Sequence, residues 1–269
     1  MSKQLFFEKK IKYSVFILAA LIIACATVPL TNRRQLSLIP DSQMLSMSYQ
    51  QFDQVKQESK IITNTPEAAM IQRIGANISR AAESFLRENN IQKTFAWEFI
   101  LIGDDNTVNA WCMPGGKVAF YTGILPYTKT EAGAAVVMGH EIAHAIAGHG
   151  NERMSQMLLA QLGGATLAKA LEEKPEATRN FWLQAFGLGA QVGVLLPYSR
   201  KHEYEADRIG LTLMAKGGYH PNEAVTFWER MAQSAGAKPP EFLSTHPSDE
   251  KRVAAMKQNM PEALKHYKK

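Results

Sequence analysis

At 269 residues, with 46% hydrophobic and 20% charged residues and no repeat or low-complexity tract, the chain can bury one sizeable core, which excludes a disordered, fibrous or solenoid protein. The formal charge of +5 is less informative than it looks, because residues 1–24 carry Lys3, Lys9, Lys10 and Lys12 against Glu8, a net +3, and only +2 remains for the rest. No polyanion-binding face, and hence no nucleic-acid partner, is expected from that balance.

The chain opens on a basic stretch ending at Lys12, followed by the apolar run Val15 to Ala24 and then Cys25. This is the order of a signal peptide, with an apolar run shorter than the ~20 residues of a membrane span. Ile22-Ile23-Ala24-Cys25 resembles a bacterial lipobox, so 1–24 reads as a lipoprotein signal peptide with Cys25 as the lipidated residue. The alternative is an uncleaved anchor, since Ala26 to Leu30 extends the apolar run. Both place the body outside the cytoplasm, with the lysines inside. Residues 25–41 read as a lipidated cysteine and tether, and 42–269 as the folded domain. With Cys25 lipidated, Cys112 has no disulfide partner, and its setting between Trp111 and Met113 suits a small buried hydrophobe.

Asp41 or Ser42 caps a predicted helix to about Gln57, and Pro66 opens another to about Arg87, with Ala69, Ile71, Ile74, Ile78, Ala82 and Phe85 on one buried face. Residues 94–102 read as a strand and Gly103-Asp104-Asp105-Asn106 as a turn. Pro114-Gly115-Gly116 makes a sharp turn before a second strand over Lys117 to Thr122. Helices are expected over 130–147, 151–171, 176–196, 200–216 and 221–234, with one or two short ones after Ser248. The apolar stretch Phe181–Leu196 is expected to be a buried helix rather than a span. The fold class is α+β, mostly helical, with a small sheet on one side.

Within the 130–147 helix lies His140-Glu141-Ile142-Ala143-His144. Residues four apart on a helix stand about 40° apart, one turn above the other, so both imidazoles aim at one point. Glu141 lies about 60° from His144 around the axis, within reach of a water held there. Zinc, one ion per chain, is the natural occupant, because it accepts neutral imidazole and keeps a position open. A histidine ten residues after the first ligand would complete one common pattern, but that position is Gly150. His149 is expected to point away, about 140° around a continuous helix from His144, and to place a partly cationic ring at the helix C-terminus. The cluster Glu203-Tyr204-Glu205-Ala206-Asp207 offers a third ligand. Glu203 and Asp207 share a face, so Glu203 as ligand with Asp207 holding a ligand histidine is one reading, and a solvated acidic face is the other. Glu205 points away from both.

The pairing of His140-Glu141-Ile142-Ala143-His144 with Ser199-Arg200-Lys201-His202-Glu203-Tyr204-Glu205-Ala206-Asp207-Arg208 resembles the zinc metallopeptidase family that includes HtpX, the OMA-type proteases and the CAAX prenyl proteases. The bacterial lipoprotein branch, typified by LoiP and the protease domain of BepA, is the most similar. The resemblance runs from about Thr27 to Arg252 and includes Asn109-Ala110, Pro114-Gly115-Gly116 and Thr245-His246-Pro247-Ser248. It implies a zincin-like domain with the sheet packed beside the zinc helix, His140, His144 and Glu203 as ligands, and Glu141 as general base. The oxyanion also needs a donor, for which His246 and, behind it, Arg252 are the candidates. His246 is alternatively a fourth ligand at rest, acting as a latch. Gly116, Lys117, Val118 and Ala119 are candidate substrate-binding residues, as an edge strand able to pair with an extended peptide. An interior strand is the alternative.

These expectations describe a membrane-anchored zinc metalloendopeptidase acting on unfolded or misassembled envelope proteins. Its place is the periplasmic face of a bacterial envelope, with the outer membrane favoured and the outer-membrane assembly machinery as a candidate partner. A zinc-containing chaperone for outer-membrane proteins and a structural metal domain are the competing classes.

Overall fold

The structure, a computed structural model, describes residues 25–174, 176–190, 196–233, 241–246 and 250–268. The expected signal segment 1–24, and the side chain of Cys25, lie outside that description. The architecture is mostly helical with a small mixed sheet packed alongside, a zincin-like metallopeptidase fold.

A hairpin of β1 (Cys25–Thr27) and β2 (Arg34–Leu36) comes first. It occupies the span read from sequence as a tether. Val28 is fully buried in the core, Gln35 Nε2 donates to the Ala147 carbonyl at 2.6 Å, and the Leu38 N–H donates to Ser155 Oγ at 2.9 Å. Helix α1 (Asp41–Glu58) follows, then β3 (Ile61–Ile62) and α2 (Pro66–Glu88). Thr65 caps α2 by accepting from the Ala68 N–H at 3.2 Å, and Pro66 takes the first turn, where no amide partner is needed. Of the predicted face, Ile71, Ile74, Ile78, Ala82 and Phe85 are buried, whereas Ala69 is exposed and its neighbour Ala68 is buried instead.

Strands β3, β4 (Glu98–Ile102), β5 (Ala110–Met113) and β6 (Lys117–Tyr121) form one sheet in the order β3-β4-β6-β5, with β4 and β6 parallel and the other pairs antiparallel. Alternation sends Phe99, Leu101, Val118 and Phe120 into the main core, and Ile100, Ile102 and Ala119 onto Phe52 of α1. The strand read as an edge, Gly116 to Tyr121, is therefore interior. Val118 and Ala119 are buried, and Lys117 is tied to Glu98 at 3.0 Å. The edge strands are β3 and β5, and β6 returns antiparallel along β5 after the Pro114-Gly115-Gly116 turn. This is a correction to the substrate-binding assignment of Gly116, Lys117, Val118 and Ala119.

After α3 (Leu125–Thr128), helix α4 (Glu131–Ala147) runs through the centre of the core. Thr130 accepts from the Gly133 N–H at 3.0 Å to start it, and Gly148, left-handed at φ 76, ends it. Val137, Met138, Ile142 and Ile146 have no exposed surface, each contributing about 1.5–3 kcal/mol of burial. Helices α5 (His149–Ala170) and α6 (Glu176–Ala190) follow as a pair. Phe186 of α6 lies against Gly163 of α5, but none of the described α6 side chains is buried and Trp182 is exposed. The expectation of a buried helix over 181–196 is thus not met across its described part. No helix among the described residues is long and apolar enough to cross a membrane.

Helix α7 (Leu196–Lys216) crosses α4, and α8 (Glu223–Gln233), α9 (Glu241–Thr245) and α10 (Glu250–Leu264) close the other side. At the crossing two glycines face each other. A Cβ on Gly139 would stand 3.1 Å from the Gly210 carbonyl oxygen, and one on Gly210 would stand 3.1 Å from the His140 nitrogen. A side chain at either position would stand tighter against the facing backbone than nearly all Cβ contacts in proteins. Replacing Gly210 by leucine is expected to wedge α7 off α4 and cost about 1–3 kcal/mol in a urea unfolding titration. An unchanged midpoint would mean that the crossing tolerates a side chain.

Candidate metal centre

Helix α4 presents His140, Glu141 and His144, α7 presents Glu203 and Asp207, and the residue after α9 is His246. Ligand-type atoms of His140, His144, Glu203 and His246 all lie within 4.8 Å of one another. His140 Nε2 is 3.0 Å from His144 Nε2 and 3.2 Å from Glu203 Oε2, and His144 Nε2 is 3.4 Å from Glu203 Oε1. His246 Nδ1 is 3.1 Å from both His140 Nε2 and Glu203 Oε2. Donors bonded tetrahedrally at about 2.0–2.1 Å stand roughly 3.3–3.4 Å apart, so the spacing fits a cluster able to hold one metal ion. Two imidazoles, a carboxylate and a third imidazole are also the donor types zinc takes.

Electrostatics point the same way. Burial would lower the pKa of His140, but Asp207 and Glu203 outweigh it and hold the ring up at about 9. Burial raises Glu203, yet Arg252 and the two histidines pull it well below the usual carboxylate range. His144, with burial dominant, is held well below its ordinary value and is neutral. Two carboxylates thus draw His140 toward its charged form, and a divalent cation bound there would take the place of the proton on its Nε2.

The flanking shell is well ordered. His140 Nδ1 is 2.9 Å from Asp207 Oδ1, so a protonated Nδ1 leaves Nε2 free to ligate. Asp207 in turn accepts from Arg252 Nη2 at 2.8 Å and from Arg252 Nε. Arg252 also contacts Glu203 at 3.1 Å, and its guanidinium lies 3.8 Å from the centre of the Trp228 ring. Arg252, the lesser oxyanion candidate, thus lies behind the cluster, bonded to Asp207 and Glu203.

Glu141 is 3% exposed and its Oε1 has no hydrogen-bond partner. His246 Nε2 stands 3.4 Å away, out of hydrogen-bond alignment. Burial raises the pKa of this carboxylate, as suits a group that takes a proton near neutrality. Cys112 lies on the α4 side of β5, and burial, with the Glu141 charge next, pushes its thiol well up. It is half-buried and packed against the core, rather than the fully buried hydrophobe expected. Beside His144, a cavity of about 280 Å³ is lined by Met44, Leu45, Phe95, Cys112 and Pro114.

His149 departs from expectation. Helix α4 stops at Gly148 and α5 starts at His149, so angles measured along one continuous helix do not apply. His149 Nδ1 lies 2.8 Å from His144 Nδ1, and its Nε2 lies 3.1 Å from Glu205 Oε2. Burial lowers its pKa to about 4, so the ring is neutral rather than partly cationic. Glu205 points away from the cluster as expected, yet it is bonded to the ring behind His144. Glu152, His202 and Glu205 were missed as members of this shell. Two His-x-x-Glu pairs, His149 to Glu152 and His202 to Glu205, were the signal.

A buried histidine, a half-buried histidine and a glutamate at tetrahedral spacing, with a second glutamate beside the histidines on the same helix, are the make-up of a zinc-dependent metalloprotease site. The model of peptidase family M48 matches residues 72–260, and the chain belongs to that family. It is 34% identical over 241 residues to the mitochondrial metalloendopeptidase OMA1 of Schizosaccharomyces pombe, covering 88% of this chain and 66% of the relative. It is 31% identical over 243 residues to the mitochondrial metalloendopeptidase OMA1 of Homo sapiens, covering 88% and 46%. With the beta-barrel assembly-enhancing protease of Escherichia coli it shares 29% over 187 residues, 62% and 34% of the two chains. The chain thus spans between a third and two thirds of the length of these relatives.

Asp207→Asn is expected to weaken metal affinity 10–100-fold, read by competition with a chromophoric chelator. An unchanged affinity would show that Asp207 does not orient His140.

Proposed function

We propose that the chain is a zinc metalloendopeptidase of cell-envelope protein quality control, with His140, His144 and Glu203 as zinc ligands, Glu141 as general base and Asp207 holding His140. One observation carries the reading: the tetrahedrally spaced donors lie next to a buried carboxylate with an unpartnered oxygen. When bound, zinc supplies Lewis-acid polarisation of the scissile carbonyl and of the attacking water. Glu141 takes a proton from that water at Oε1 as the oxygen attacks the carbonyl carbon, and gives it to the leaving amine as the C–N bond breaks.

The β5 edge supports substrate alignment. Tyr121 N–H donates to the Asn109 carbonyl, so by alternation Trp111 and Met113 turn their backbone groups to β6, while Ala110 and Cys112 turn theirs outward. The Asn109 side chain takes the Ala110 N–H at 2.9 Å. The outward Cys112 backbone, beside α4, is then the site for main-chain pairing with an extended peptide. Such pairing is tolerant of sequence and suits unfolded substrates.

His246 holds the fourth donor place of the cluster, which favours the latch over the oxyanion donor. Residues 1–25 support a signal peptide with lipid at Cys25, the bacterial lipoprotein branch and the periplasmic face, with the outer membrane favoured. The mitochondrial relatives share the domain in another compartment, so location rests on that N-terminal segment. The name of the Escherichia coli relative supports the outer-membrane assembly machinery as a partner. A second reading, a zinc-containing chaperone for outer-membrane proteins in which cleavage is secondary, draws on the exposed apolar side chains Met157, Leu162 and Trp182.

Full-length protein in detergent is expected to hold one zinc per chain in both wild type and Glu141→Gln. The variant's digestion of unfolded casein should fall by about 10²–10⁴-fold. Absence of stoichiometric zinc would sink the metal reading, and full rescue of a deletion strain by the variant would favour the chaperone. His246→Ala should keep zinc and cleave casein several-fold faster; slower cleavage would return His246 to the oxyanion role.

A further inference from the structure

Each of the two ligand histidines of α4 has its far nitrogen held, but by different means. His140 Nδ1 reaches the Asp207–Arg252 pair directly. His144 Nδ1 reaches a second carboxylate–arginine pair one residue further out: His149 Nδ1 at 2.8 Å, then His149 Nε2 to Glu205 Oε2 at 3.1 Å, then Glu205 to Arg33. We propose that Arg33, on the hairpin that follows Cys25, is a positioning residue for the metal ligand His144, acting through Glu205 and His149. The inference rests on His144 being a ligand, as proposed above.

The proton bookkeeping of the chain requires a carboxylate at its end. To ligate through Nε2, neutral His144 must carry its proton on Nδ1 and donate it to His149 Nδ1. His149 must then be unprotonated at Nδ1 and protonated at Nε2. The opposite tautomer of His149 would set two N–H groups against each other at 2.8 Å, or drive the His144 proton onto the nitrogen that ligates. Glu205 selects the competent tautomer by accepting the Nε2 proton.

Arg33 is what holds Glu205 in place against His149. Its Nε and Nη2 each donate to Glu205 at 2.9 Å, and Thr31 Oγ1 donates at 2.7 Å. The same guanidinium donates through Nη1 and Nη2 to Glu152 at 2.7 and 2.6 Å. Glu152 accepts from His202 Nε2 at 2.8 Å, and the His202 ring stacks on His149 at 4.2 Å and 12°. One planar fork thus holds two buried carboxylates together, one aiming His149 along its proton axis and the other fixing its ring plane. A lysine reaches such a pair only as a point charge. The hairpin is held for this task by the Gln35 and Leu38 contacts to Ala147 and Ser155.

The test uses full-length protein in detergent: wild type, Arg33→Ala, Arg33→Lys, His149→Leu and the Arg33→Ala/His149→Leu double variant. Zinc affinity is read by chelator competition, and ligand geometry by the visible spectrum of the cobalt-substituted protein. Arg33→Ala is expected to weaken zinc binding about 10–100-fold and to alter the cobalt bands, with Arg33→Lys between it and wild type. The double variant should bind no more weakly than His149→Leu alone, because the effect passes through that ring. Wild-type affinity and spectrum in Arg33→Ala, or additive losses in the double variant, overturn the proposal. Should Arg33→Ala not fold, an Arg33→Lys protein indistinguishable from wild type overturns it equally. Wild type without zinc defeats the metal reading and this proposal together, whereas zinc-loaded wild type with unaffected variants defeats this one alone.

Discussion

The backbone contact between α4 and α7 at Gly139 and Gly210 underlies the rest of the molecule. Each helix carries half of the metal centre, and neither half is a site by itself. His140 follows Gly139 directly, and Glu203 and Asp207 lie two turns and one turn before Gly210. A crossing this close puts the Glu203 carboxylate against both imidazoles at 3.2 and 3.4 Å. Larger residues at the crossing would wedge the helices apart, and the Glu203 carboxylate would withdraw from the imidazoles.

Around that crossing, buried charge is handled by pairing. His140, Glu141, Glu152, Glu203, Glu205, Asp207 and Arg252 are all nearly inaccessible, a load that an apolar core carries only when each group has a partner. Two arginines supply most of the compensation, Arg252 from α10 on one side and Arg33 from the hairpin on the other. Both come from far along the chain, so the metal-binding helices depend on the first and last parts of the fold for their geometry. Glu141 Oε1 is an exception among these groups: it accepts no hydrogen bond, and His246 Nε2 stands 3.4 Å from it.

The sheet has a simpler part. Its inner strands anchor α1 and α2 to α4, and its order leaves β5 outside, next to the metal-binding helix. The cavity beside His144 opens where β5 ends at Pro114, so edge strand, cavity and metal cluster share one side of the molecule.

Local signals made much of this legible. Thr65-Pro66 and Thr130 are strong caps, and the 3.6-residue face of α2 is regular, so those helices begin where the sequence places them. The His140/His144 and Glu203/Asp207 pairs were readable because a helix sets their mutual angle without help from the rest of the chain. Two expectations that were not met, the direction of His149 and the place of the edge strand, depended on the chain's path. His149 was misaimed because Gly148, at a positive φ, turns the backbone between α4 and α5. Lys117 to Ala119 looked like an edge because strand order depends on partners that local pattern does not reveal. The hairpin around Arg33 carries no alternation at all, since its strands are held by side-chain bonds to Ala147, Glu152, Ser155 and Glu205. Sequence alone therefore determined the donor types and their spacing within each helix, which follow from helical geometry. Only the tertiary structure decided that the two helices share one centre, and which arginines hold it, because those facts depend on contacts between residues distant along the chain.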